Sequence, residues 1–397
     1  MILDAEIVRL AKINERALTL LGEPDRVINF RMRRHVPTEQ ELVNVYVVYH
    51  SAARGPPCKG GVRMSKDITL EEVTQLAEIM TYKNALMDLP FGGAKAGIVA
   101  DSELPPDSKS LIMEGFAHEI RHELISGNYV PAPDLGTSPR EMAVIFGETH
   151  VRESVTGKPI GIGGLPGRKE ATGYGVSAVS ERAVKELLDK ELSDTTVAVQ
   201  GFGNVGSWAC HFLAENGAKI IGITDKHCGT IQRKGINIEE LKKHLQKNMT
   251  LDSYGEKKLG NEEILELDVD VLIPSAVGNV ITKQNAGKVK ANIVIEGANA
   301  PVTKEADEVL ERNNITVVPD ILTNAGGVVA SYDEWRKSKA GTRTKRVETF
   351  ATIKETLLEA FEEVMNFSSD RNVSLRKASL AIAACRVMET IEGRGWL

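Results

Sequence analysis

The chain of 397 residues is too long for one ordinary hydrophobic core, so its length predicts two or three domains. Hydrophobic residues make up 42% and charged residues 26%, with a formal net charge of −6, which is typical of a soluble globular protein. The mild acidity argues against nucleic acid as a partner, because phosphate binding needs a concentrated basic face.

The first part of the chain mixes helices and strands. The N-terminal segment MILDAEIVRLAKINERALTLLG has the pattern of an amphipathic helix, and ELVNVYVVYHSAA predicts a strand. A helix over TLEEVTQLAEIMTYKNALMDL should begin after Thr69, a suitable cap residue. The next predicted helix, SKSLIMEGFAHEIRHELI, leads into a loop in which Pro131 and Pro133 stiffen the backbone before Asp134. The glycine-rich stretch Gly157–Gly175 is typical of a hinge or mobile loop.

Short apolar runs alternate with helical segments over roughly residues 173–319. The predicted strands are TTVAVQG, AKIIGITD, VDVLIPSA, ANIVIEGAN and ITVVPD. Strands of this kind separated by helices predict a parallel, doubly wound α/β sheet. After NAGGVVASYDEW the pattern is helical to the end, in VETFATIKETLLEAFEEVM and LRKASLAIAACRVMETI.

Three lysines lie beside glycines or in a helix that precedes them. They are Lys59 in CKGGVR, Lys83 in MTYKNALMD and Lys95 in PFGGAKAG, and we expect them to lie in or beside tight glycine turns. A lysine held away from bulk water can act as a general base or pair with a substrate carboxylate. The trio therefore predicts a pocket for a small molecule with more than one carboxylate.

A dinucleotide fingerprint occupies TTVAVQGFGNVGSWACHFLAENGAKIIGITD. A strand leads in, a helix leads out, and a second strand ends at an acidic residue. The glycines allow a tight turn, close approach of the backbone to a pyrophosphate, and close packing of helix on strand. The predicted cofactor-binding turn comprises Gly201, Gly203, Asn204, Val205 and Gly206.

The acidic residue that ends the second strand is Asp225. Its carboxylate is expected to bind the adenosine ribose hydroxyls, which favours NAD. Lys226 and His227 follow directly and can neutralise a 2′-phosphate, so the sequence leaves NAD and NADP both open.

The segment from His118 to His122 matches the HExxH pattern of zinc proteases. The apolar residues of the same predicted helix place both histidines toward its polar side. The pattern is also easily met by chance, so no metal site is predicted.

The four cysteines are scattered and include no CxxC pair, which is typical of free thiols in a reducing compartment. The N-terminus lacks the apolar core of a signal peptide, and no run approaches the ~20 apolar residues of a membrane span. We therefore expect a cytoplasmic protein with no membrane partner. The cysteines are Cys58, Cys210, Cys228 and Cys385.

Seven motifs in order along nearly the whole chain resemble the glutamate, leucine, phenylalanine and valine dehydrogenases, and glutamate dehydrogenase above all. The motifs are GPPCKGGVR, MTYKNALMDLPFGGAKAG, NYVPAPDLGT, RKEATGYGV, GFGNVG, EGANAPVT and NAGGVVASYDEW. The resemblance implies a substrate-binding and oligomerisation domain over residues 1–155 and a Rossmann-like dinucleotide domain over 156–327. It also implies that helical residues 328–397 pack back on the first domain.

The resemblance also implies roles for individual residues. Lys95 would be the catalytic lysine and Asp134 its proton-transfer partner, whereas Lys59 would pair with the distal carboxylate of glutamate and Lys83 with its α-carboxylate. Ser331 would help bind the distal carboxylate. The implied cofactor-binding positions beyond the glycine turn are Thr172, Asn299 and Asn324.

The implied reaction is the reversible oxidative deamination of glutamate to 2-oxoglutarate and ammonia with NAD or NADP, in a homohexamer. The rival within the family is a branched-chain or aromatic amino-acid dehydrogenase, whose members usually carry an apolar residue where Lys59 stands. A catalytically silent regulatory subunit is a further alternative, against which the intact Lys95 and Asp134 count.

Two positions depart from the family pattern. Ala96 stands where the family usually has glycine after the catalytic lysine, so its methyl group is a candidate for crowding. The segment YDEWRKSKAGTRTKR after Ser331 is unusually charged and is interpreted as a solvated surface, with a subunit contact or regulatory site as the alternative.

Overall fold

In a computed structural model, the structure describes residues 2–35, 40–247 and 249–397. The chain divides into two compact units. The first comprises Met1–Arg168, Val328–Thr349 and Leu380–Leu397, and the second comprises Lys169–Gly327 and Phe350–Ser379. Both units are α/β, as the sequence predicts.

The first unit is built on a five-stranded mixed sheet with the order β1-β2-β4-β3-β5. Its strands are β1 (Arg26–His35), β2 (Gln40–Ser51), β3 (Cys58–Ser65), β4 (Gly92–Val99) and β5 (Tyr129–Pro133). Its first helices are α1 (Ala5–Leu10), α2 (Glu15–Gly22), α3 (Leu70–Leu86), α4 (Pro106–Glu119), α5 (Arg121–Ile125) and α6 (Pro139–Thr149). Strand β3 pairs in parallel with β4 and β5, whereas β2 runs antiparallel to β1 and β4.

Helices cover both faces of this sheet. On one face β2 meets α3 through Val48, Val73 and Ala77. On the other, the larger core includes Phe116 of α4 and Ile145 of α6. These apolar stripes fix the positions of the elements, because burying them is the main favourable contribution to folding.

The start of α3 agrees with the sequence. The Thr69 hydroxyl accepts a hydrogen bond from the backbone N–H of Glu72 at 3.1 Å, which satisfies one of the donors left free at a helix start. The N-terminal segment differs, because it forms two helices. The Asn14 side chain caps α2 by accepting from Ala17 N–H at 2.9 Å, so the chain turns where one helix was expected.

The glycine-rich lysine segments are strands, and the prediction of tight turns there is wrong. Lys59 lies in β3 and Lys95 in β4, while Lys83 lies in the last turn of α3. The glycines serve close packing between elements. A Cβ at Gly60 would lie 1.6 Å from the Ala94 carbonyl oxygen, and one at Gly93 would lie 2.1 Å from Thr81 Oγ1. Glycine inside a strand commonly marks such a close approach.

The segment expected to be a loop before Asp134 also forms a strand. Strand β5 contains Pro131 and Pro133 and lies at the edge of the sheet. Proline lacks the N–H that a central strand would need, so an edge strand accommodates it. Asp134 therefore sits directly at the carboxyl end of a strand.

The second unit is built on a seven-stranded sheet with the order β12-β11-β10-β6-β7-β8-β9. Its strands are β6 (Thr196–Gln200), β7 (Lys219–Thr224), β8 (Gly229–Ile231), β9 (Lys257–Leu259), β10 (Val271–Pro274), β11 (Ile293–Ile295) and β12 (Thr316–Val318). Its helices include α7 (Ala171–Leu188), α8 (Asn204–Glu215), α9 (Ile238–Gln246), α10 (Lys304–Arg312) and α11 (Asp320–Thr323).

All five predicted parallel strands are present, and β8 and β9 extend the sheet in antiparallel fashion. The strand order reverses on either side of β6, since β7 lies on one side and β10 on the other. In doubly wound sheets, a crevice for ligands opens at the carboxyl ends of the strands at such a reversal.

The glycine-rich stretch expected to be a hinge is helical in its last part, because α7 begins at Ala171. A Cβ at Gly173 would lie 2.4 Å from the Trp208 Cβ, so this glycine lets α7 approach α8. Short 3-10 turns complete the chain. They cover Arg152–Ser154, Ile160–Ile162, Leu192–Asp194, Leu251–Ser253, Glu263–Glu266 and Ala286–Lys288.

The C-terminal region is helical, as expected. Its helices are α12 (Gly326–Ala340), α13 (Arg346–Arg371) and α14 (Leu375–Gly393). Residues 350–379 belong to the second unit, whereas the sequence placed all of 328–397 with the first domain. Tyr174 stacks on Phe350 at 4.3 Å, which accounts for part of this packing.

The HExxH match does not form one helical face. Helix α4 ends at Glu119 and α5 begins at Arg121, and both His118 and His122 are exposed. Among the described residues, no group of three His, Cys, Asp or Glu side chains has an arrangement suited to a metal ion. In the same part of the chain, no helix is long and apolar enough to cross a membrane.

Candidate active site

Strand pairing in the first unit brings charged residues to one face of the sheet. Lys59 of β3 lies opposite Gly93 of β4, and Lys95 is two residues further along β4. Side chains two apart in a strand share a face. Arg63 shares that face with Lys59 for the same reason, and the sheet register carries Asp134 to the same side.

Lys95 and Asp134 form the central pair of this cluster. Lys95 Nζ donates to Asp134 Oδ2 at 2.5 Å, and the Lys95 side chain is buried. A Cβ at Gly61 would lie 2.8 Å from the Asp134 side chain, so glycine at this position leaves room for the carboxylate. The structure therefore joins the two predicted catalytic residues directly.

Asp134 is held by a second cation. Arg63 Nε donates to Asp134 Oδ1 at 2.9 Å, and Arg63 Nη1 donates to Glu72 at 2.8 Å. Burial alone would raise the pKa of Asp134, but the charges of Lys95 and Arg63 outweigh it and hold that pKa below its ordinary value. Asp134 is thus a fixed, ionised carboxylate between two donors.

Lys59 has the opposite surroundings. Its side chain is buried, with 2% of its surface exposed, and it forms no hydrogen bond or ion pair with any other residue that the structure describes. Burial, and then the nearby charge of Arg168, hold the pKa of Lys59 well below its ordinary value, with Lys95 and Lys158 adding to the effect. An ammonium in such a place lacks a counter-charge.

Arg168 adds a second unsatisfied donor. Its Nε atom is buried and has no hydrogen-bond partner among the described residues. Burial lowers the pKa of Arg168 from its ordinary value, against the opposing charge of Glu334. Lys59 and Arg168 together present cationic donors that an anionic group can satisfy.

Glu334 is the acidic residue of this neighbourhood, but its charge is already committed. Its carboxylate accepts from Lys158 Nζ at 2.8 Å and from the backbone N–H groups of Gly157 and Lys158 at 2.9 and 3.2 Å. Both side chains of this pair are fully buried. Glu334 therefore neutralises Lys158 and leaves Lys59 without a direct partner.

Ser331 lies on α12, one turn before Glu334, and is buried. Residues three apart on a helix share a face, so the helix presents both side chains to the same side. Lys83 is also buried, at the end of α3. Among the predicted substrate and catalytic residues, Lys95 and Asp134 are bonded directly, and Lys59 lies in the electrostatic neighbourhood of Lys95.

The two departures from the family pattern have structural accounts. Ala96 is buried in the apolar core on the other face of β4 from Lys95, so its methyl group contributes packing rather than crowding. The charged segment after Ser331 is in part buried rather than wholly solvated. Asp333 is buried and forms ion pairs with Arg336 and Lys337 at 2.9 Å each.

In the second unit, the glycine fingerprint lies at the carboxyl end of β6. Gly201 has φ +93°, a conformation that favours glycine, and a Cβ there would lie 2.7 Å from Ala276. A Cβ at Gly206 would lie 1.9 Å from the Gly201 carbonyl oxygen. The glycines therefore allow the turn and the close approach of α8, as the fingerprint requires.

The start of α8 fits a pyrophosphate. Gly203 is its cap residue and supplies no side-chain cap, and the first turn contains no acidic residue. Asn204 and Gly203 are exposed, whereas Gly206 is buried beneath the turn. The backbone N–H groups of this first turn are therefore available to phosphate oxygens, together with the positive end of the helix dipole.

Asp225 and Lys226 follow β7, one strand away from the fingerprint. Asp225 Oδ1 accepts hydrogen bonds from the N–H groups of His227 and Cys228 at 2.7 and 2.9 Å, which fixes this turn. Lys226 is exposed. One carboxylate oxygen of Asp225 is therefore committed to the turn, and the Lys226 ammonium is free to move in solvent.

The remaining predicted cofactor positions lie at the same edge of the second unit. Asn324 Nδ2 donates to Asn299 Oδ1 at 3.1 Å and to the Ala298 carbonyl at 3.1 Å, so these two asparagines are joined. Thr172 lies in the first turn of α7, and Asn204 Nδ2 donates to the Lys169 carbonyl at 3.2 Å. The predicted cofactor positions beyond the glycines thus carry neutral amide and hydroxyl side chains.

Sequence reasoning missed Arg63, Arg168, Lys158 and Glu334. Each lies within or beside a motif already singled out, next to glycine or proline or in the charged segment after Ser331. Alternation along β3 is the signal that could have found Arg63, since it falls on the same face as Lys59. The Lys158–Glu334 pair joins residues distant in sequence, so no local pattern indicates it.

Comparison with known proteins bears on both units. Residues 163–395 match the family Glutamate/Leucine/Phenylalanine/Valine dehydrogenase, and residues 24–151 match the Glu/Leu/Phe/Val dehydrogenase, dimerisation domain. The chain is 40% identical to the NAD-specific glutamate dehydrogenase A of Halobacterium salinarum over 89% of this chain and 83% of that protein. It is 38% identical to the NADP-specific glutamate dehydrogenase of Saccharolobus shibatae, over 99% and 96%.

Solved structures agree with these relatives. The glutamate dehydrogenase from Peptoniphilus asaccharolyticus matches with a TM-score of 0.86 at 30% identity, over 98% of this chain and 97% of that chain. The hetero-hexameric glutamate dehydrogenase from Thermus thermophilus, in its Leu-bound form, matches with a TM-score of 0.91 at 29% identity, over 98% and 95%. The chain belongs to the Glutamate/Leucine/Phenylalanine/Valine dehydrogenase family.

Proposed function

We propose that this chain is a glutamate dehydrogenase, which interconverts L-glutamate with 2-oxoglutarate and ammonia using NAD or NADP. Relatives named as NAD-specific and as NADP-specific glutamate dehydrogenases both support the reaction and leave the cofactor open between the two. Within the family, the choice of glutamate over an apolar amino acid depends on the side-chain pocket.

The observation that carries this choice is the buried, unpartnered Lys59. A leucine or valine side chain against it would leave an ammonium without a partner in a dry pocket, which is costly. The distal carboxylate of glutamate supplies the missing charge, and the free Nε of Arg168 offers a second donor nearby. Ser331 adds a hydroxyl and Lys83 is assigned to the α-carboxylate.

Asp134 and the buried Lys95, at the centre of the first site, perform the proton transfers. NAD or NADP, when bound, would supply the acceptor for the hydride that leaves Cα of glutamate as the substrate becomes an iminium ion. Lys95 first passes a proton to the Asp134 carboxylate across their 2.5 Å hydrogen bond, and the neutral amine then takes a proton from the water that adds to this carbon. Asp134 then delivers a proton to the departing ammonia.

The residues that would hold the cofactor belong to the second unit. The uncapped first turn of α8 suits the pyrophosphate, and Asp225 with Lys226 suits the adenosine ribose with or without its 2′-phosphate. Asn299, Asn324, Thr172 and Asn204 are assigned to the nicotinamide end. These amide and hydroxyl side chains would hold the nicotinamide end without adding charge at the reacting carbon.

The two alternative functions fit less well. An apolar amino-acid dehydrogenase leaves Lys59 unsatisfied. A silent regulatory subunit has no use for the intact Lys95–Asp134 pair with its supporting Arg63.

We further propose that the protein assembles as a homohexamer in the cytoplasm. Strand β1 lies at one edge of its sheet and, among the described residues, pairs with β2 alone. Val27 on β1 is 42% exposed. An open, ten-residue edge strand is a natural place for a second copy to pair. Sedimentation of the purified chain tests the assembly.

A substrate panel tests the reaction. Glutamate, leucine, valine and phenylalanine are each assayed with NAD and with NADP by nicotinamide absorbance. Glutamate should give the highest kcat/KM by a wide margin. An equal or higher kcat/KM for an apolar amino acid would overturn the glutamate assignment and leave the family intact.

A further inference from the structure

An arginine–carboxylate pair with a buried carboxylate is bonded to the loops that carry Asn299 and Asn324. Arg376 lies in the first turn of α14, within the part of that helix that belongs to the second unit. Its Nη1 and Nη2 atoms donate to the two carboxylate oxygens of Glu296 at 3.0 and 2.8 Å. Glu296 is fully buried, directly after β11. Such a bidentate contact fixes the orientation of the carboxylate and also pairs its charge.

The Glu296 carboxylate in turn holds two different loops. Its Oε1 accepts from the backbone N–H of Val302 at 3.3 Å, and its Oε2 accepts from that of Asp320 at 2.8 Å. Each oxygen therefore has one bond to Arg376 and one to a loop. The first loop follows β11 and the second follows β12, so one carboxylate sets the spacing of both.

Further bonds extend this arrangement to the two asparagines. Asp320 Oδ2 accepts from Ala300 N–H at 2.9 Å, which closes the first loop against the second. Thr323 donates its hydroxyl hydrogen to the Glu296 carbonyl oxygen. Asn324, the next residue, donates to Asn299 and to the Ala298 carbonyl. The asparagines are thus positioned by a network that includes Arg376.

The same loops are bonded to the end of β10 and the segment that follows it. Asn279 N–H donates to the Ala300 carbonyl at 2.9 Å, and Ala298 N–H donates to the Pro274 carbonyl at 2.9 Å. Pro274 ends β10, the strand beside β6. The network therefore lies at the carboxyl ends of the strands, where a doubly wound sheet binds its dinucleotide.

We propose that Arg376 is a positioning residue for the cofactor site, which acts through Glu296 on the loops of Asn299 and Asn324. This inference rests on the proposed function, because it takes the crevice of the second unit to bind NAD or NADP. Arg376 bonds to Glu296 and Asp307, and its influence reaches the two asparagines through Glu296. Its effect is to keep two amide side chains in one arrangement before the cofactor arrives, which lowers the ordering that binding requires.

The same arginine offers a matched control. Arg376 Nε also donates to Asp307 at 2.8 Å, on α10, the helix that follows the first loop. Asp307→Asn weakens a salt bridge of Arg376 while leaving its bonds to Glu296. A purely structural role for Arg376, as an anchor for the start of α14, predicts that changes on either side have the same consequence.

The experiment measures the Kd of NADH and of NADPH by nicotinamide fluorescence, without substrate, for the wild type and for Arg376→Lys, Glu296→Gln and Asp307→Asn. Arg376→Lys keeps the positive charge but loses the two-nitrogen contact with Glu296, and should weaken cofactor binding about fivefold or more. Glu296→Gln should do the same from the other end of the contact. Asp307→Asn should leave Kd within about twofold of the wild type, and Tm is recorded for every variant.

The inference is overturned if folded Arg376→Lys and Glu296→Gln bind the cofactor as the wild type does. It is overturned equally if Asp307→Asn weakens binding as much as they do at a similar loss of Tm. Should Arg376→Lys fail to fold, Glu296→Gln alone gives the same decision. Wild-type turnover of glutamate tests the proposed function separately, since the ratios of Kd are measured without any amino acid.

Discussion

The first unit and the second unit both use glycine to bring elements close together, but they place different chemistry in the space gained. In the first, a Cβ at Gly60 would lie 1.6 Å from the Ala94 carbonyl oxygen, and the strands so joined carry Lys59 and Lys95. In the second, a Cβ at Gly206 would lie 1.9 Å from the Gly201 carbonyl oxygen, and the turn so formed presents backbone N–H groups.

The difference is one of charge. The first site has buried side-chain charges, with Lys95 and Arg63 both bound to Asp134. The second has neutral amides and backbone donors, with the exposed Lys226 at its margin. Charges interact strongly where water is excluded and weakly where it is not. Charge-changing substitutions should therefore act steeply and with pH in the first site, and mildly in the second.

The largest expected effect is the removal of the buried pair. Lys95→Ala should lower kcat by about a thousandfold, because no other group bonded to Asp134 can take the proton from water. Asp134→Asn should be nearly as damaging, since the amide keeps the shape but cannot take up and release a proton. Steady-state kinetics with glutamate give kcat, and fluorescence gives the Kd of NADH, which should stay near normal because the cofactor residues belong to the other unit.

Lys66→Ala is the matched control, because Lys66 forms an exposed ion pair with Asp101 in the same unit and such pairs contribute little. If Lys95→Ala or Asp134→Asn keeps more than about a tenth of wild-type kcat, a barrier change under ~1.4 kcal/mol, that residue is not an essential acid or base.

The second expected effect concerns selectivity. Lys59→Met should lower kcat/KM for glutamate about a hundredfold or more, because the distal carboxylate then lacks its counter-charge in a buried place. The ratio of leucine to glutamate turnover should rise in the same variant. If Lys59→Met keeps the wild-type selectivity, the distal carboxylate binds elsewhere. The contrast between the paired Lys95 and the unpaired Lys59 then does not explain the choice of substrate.

Lys59 should also make substrate binding depend on protons. Its pKa is held low in the free protein, and a bound carboxylate raises it, so between the two values the complex holds more protons than the free protein. Binding of 2-oxoglutarate should therefore take up a proton as the pH rises above the free-state pKa of Lys59. Calorimetry in two buffers of different ionisation enthalpy measures this uptake, and Lys59→Met should abolish it.

How far the sequence could predict these sites follows from the range of the interactions. The parallel strands, the Thr69 cap and the glycine turn before α8 depend on residues close in sequence, and the structure contains all of them. The open edge strand β1 was not predicted. Its sequence, RVINFRMRRH, is rich in arginine, and its place is set by pairing with β2.

The lysine segments show the limit most clearly. Glycines beside Lys59 and Lys95 indicate turns when read locally, whereas the structure uses them inside strands because neighbouring elements come too close for a side chain. The bond from Arg63 to Asp134 joins residues on neighbouring strands, and that from Arg376 to Glu296 joins a helix to a strand end. Such pairs form only in the complete fold. The catalytic residues within a motif are therefore easier to predict from the sequence than the residues that hold them in place.

Arg63 offers a test of the first site that measures the pH dependence of activity rather than its maximal rate. Asp134 acts as a carboxylate, so activity falls as the pH drops through its pKa. Lys95 of β4 and Arg63 of β3 face it as cations, with Glu72 of α3 bound to Arg63 and Tyr129 of β5 nearby. Arg63→Gln removes one cation, so the pKa of Asp134 should rise and the acidic limb of kcat/KM should move to higher pH.

The measurement is the pH profile of kcat/KM for glutamate in the wild type, Arg63→Gln and Arg63→Lys. Arg63→Lys restores the positive charge, so its acidic limb should lie close to that of the wild type. Arg140→Gln is the control, since Arg140 bonds to the exposed Asp107 and does not touch Asp134. A limb that does not move in Arg63→Gln would mean that another group sets the acidic pKa of the reaction.

The smallest expected effect lies at the margin of the second site, where water screens the charges. Lys226 is exposed and can fold over a 2′-phosphate, whereas Asp225 repels it. Lys226→Ser should raise the KM for NADP about fivefold and leave that for NAD almost unchanged, with the effect shrinking as salt rises.

Asp225→Asn should favour NADP instead, and the amide oxygen can still cap the N–H groups of His227 and Cys228, so the turn is kept. Asp225→Ser, with its shorter side chain, should shift preference in the same direction but loosen the turn. Values of kcat/KM for both cofactors, at low and high salt, decide the matter: if Lys226→Ser affects NAD and NADP equally, the exposed lysine does not contact the phosphate, and cofactor choice resides in the neutral groups around the glycine turn.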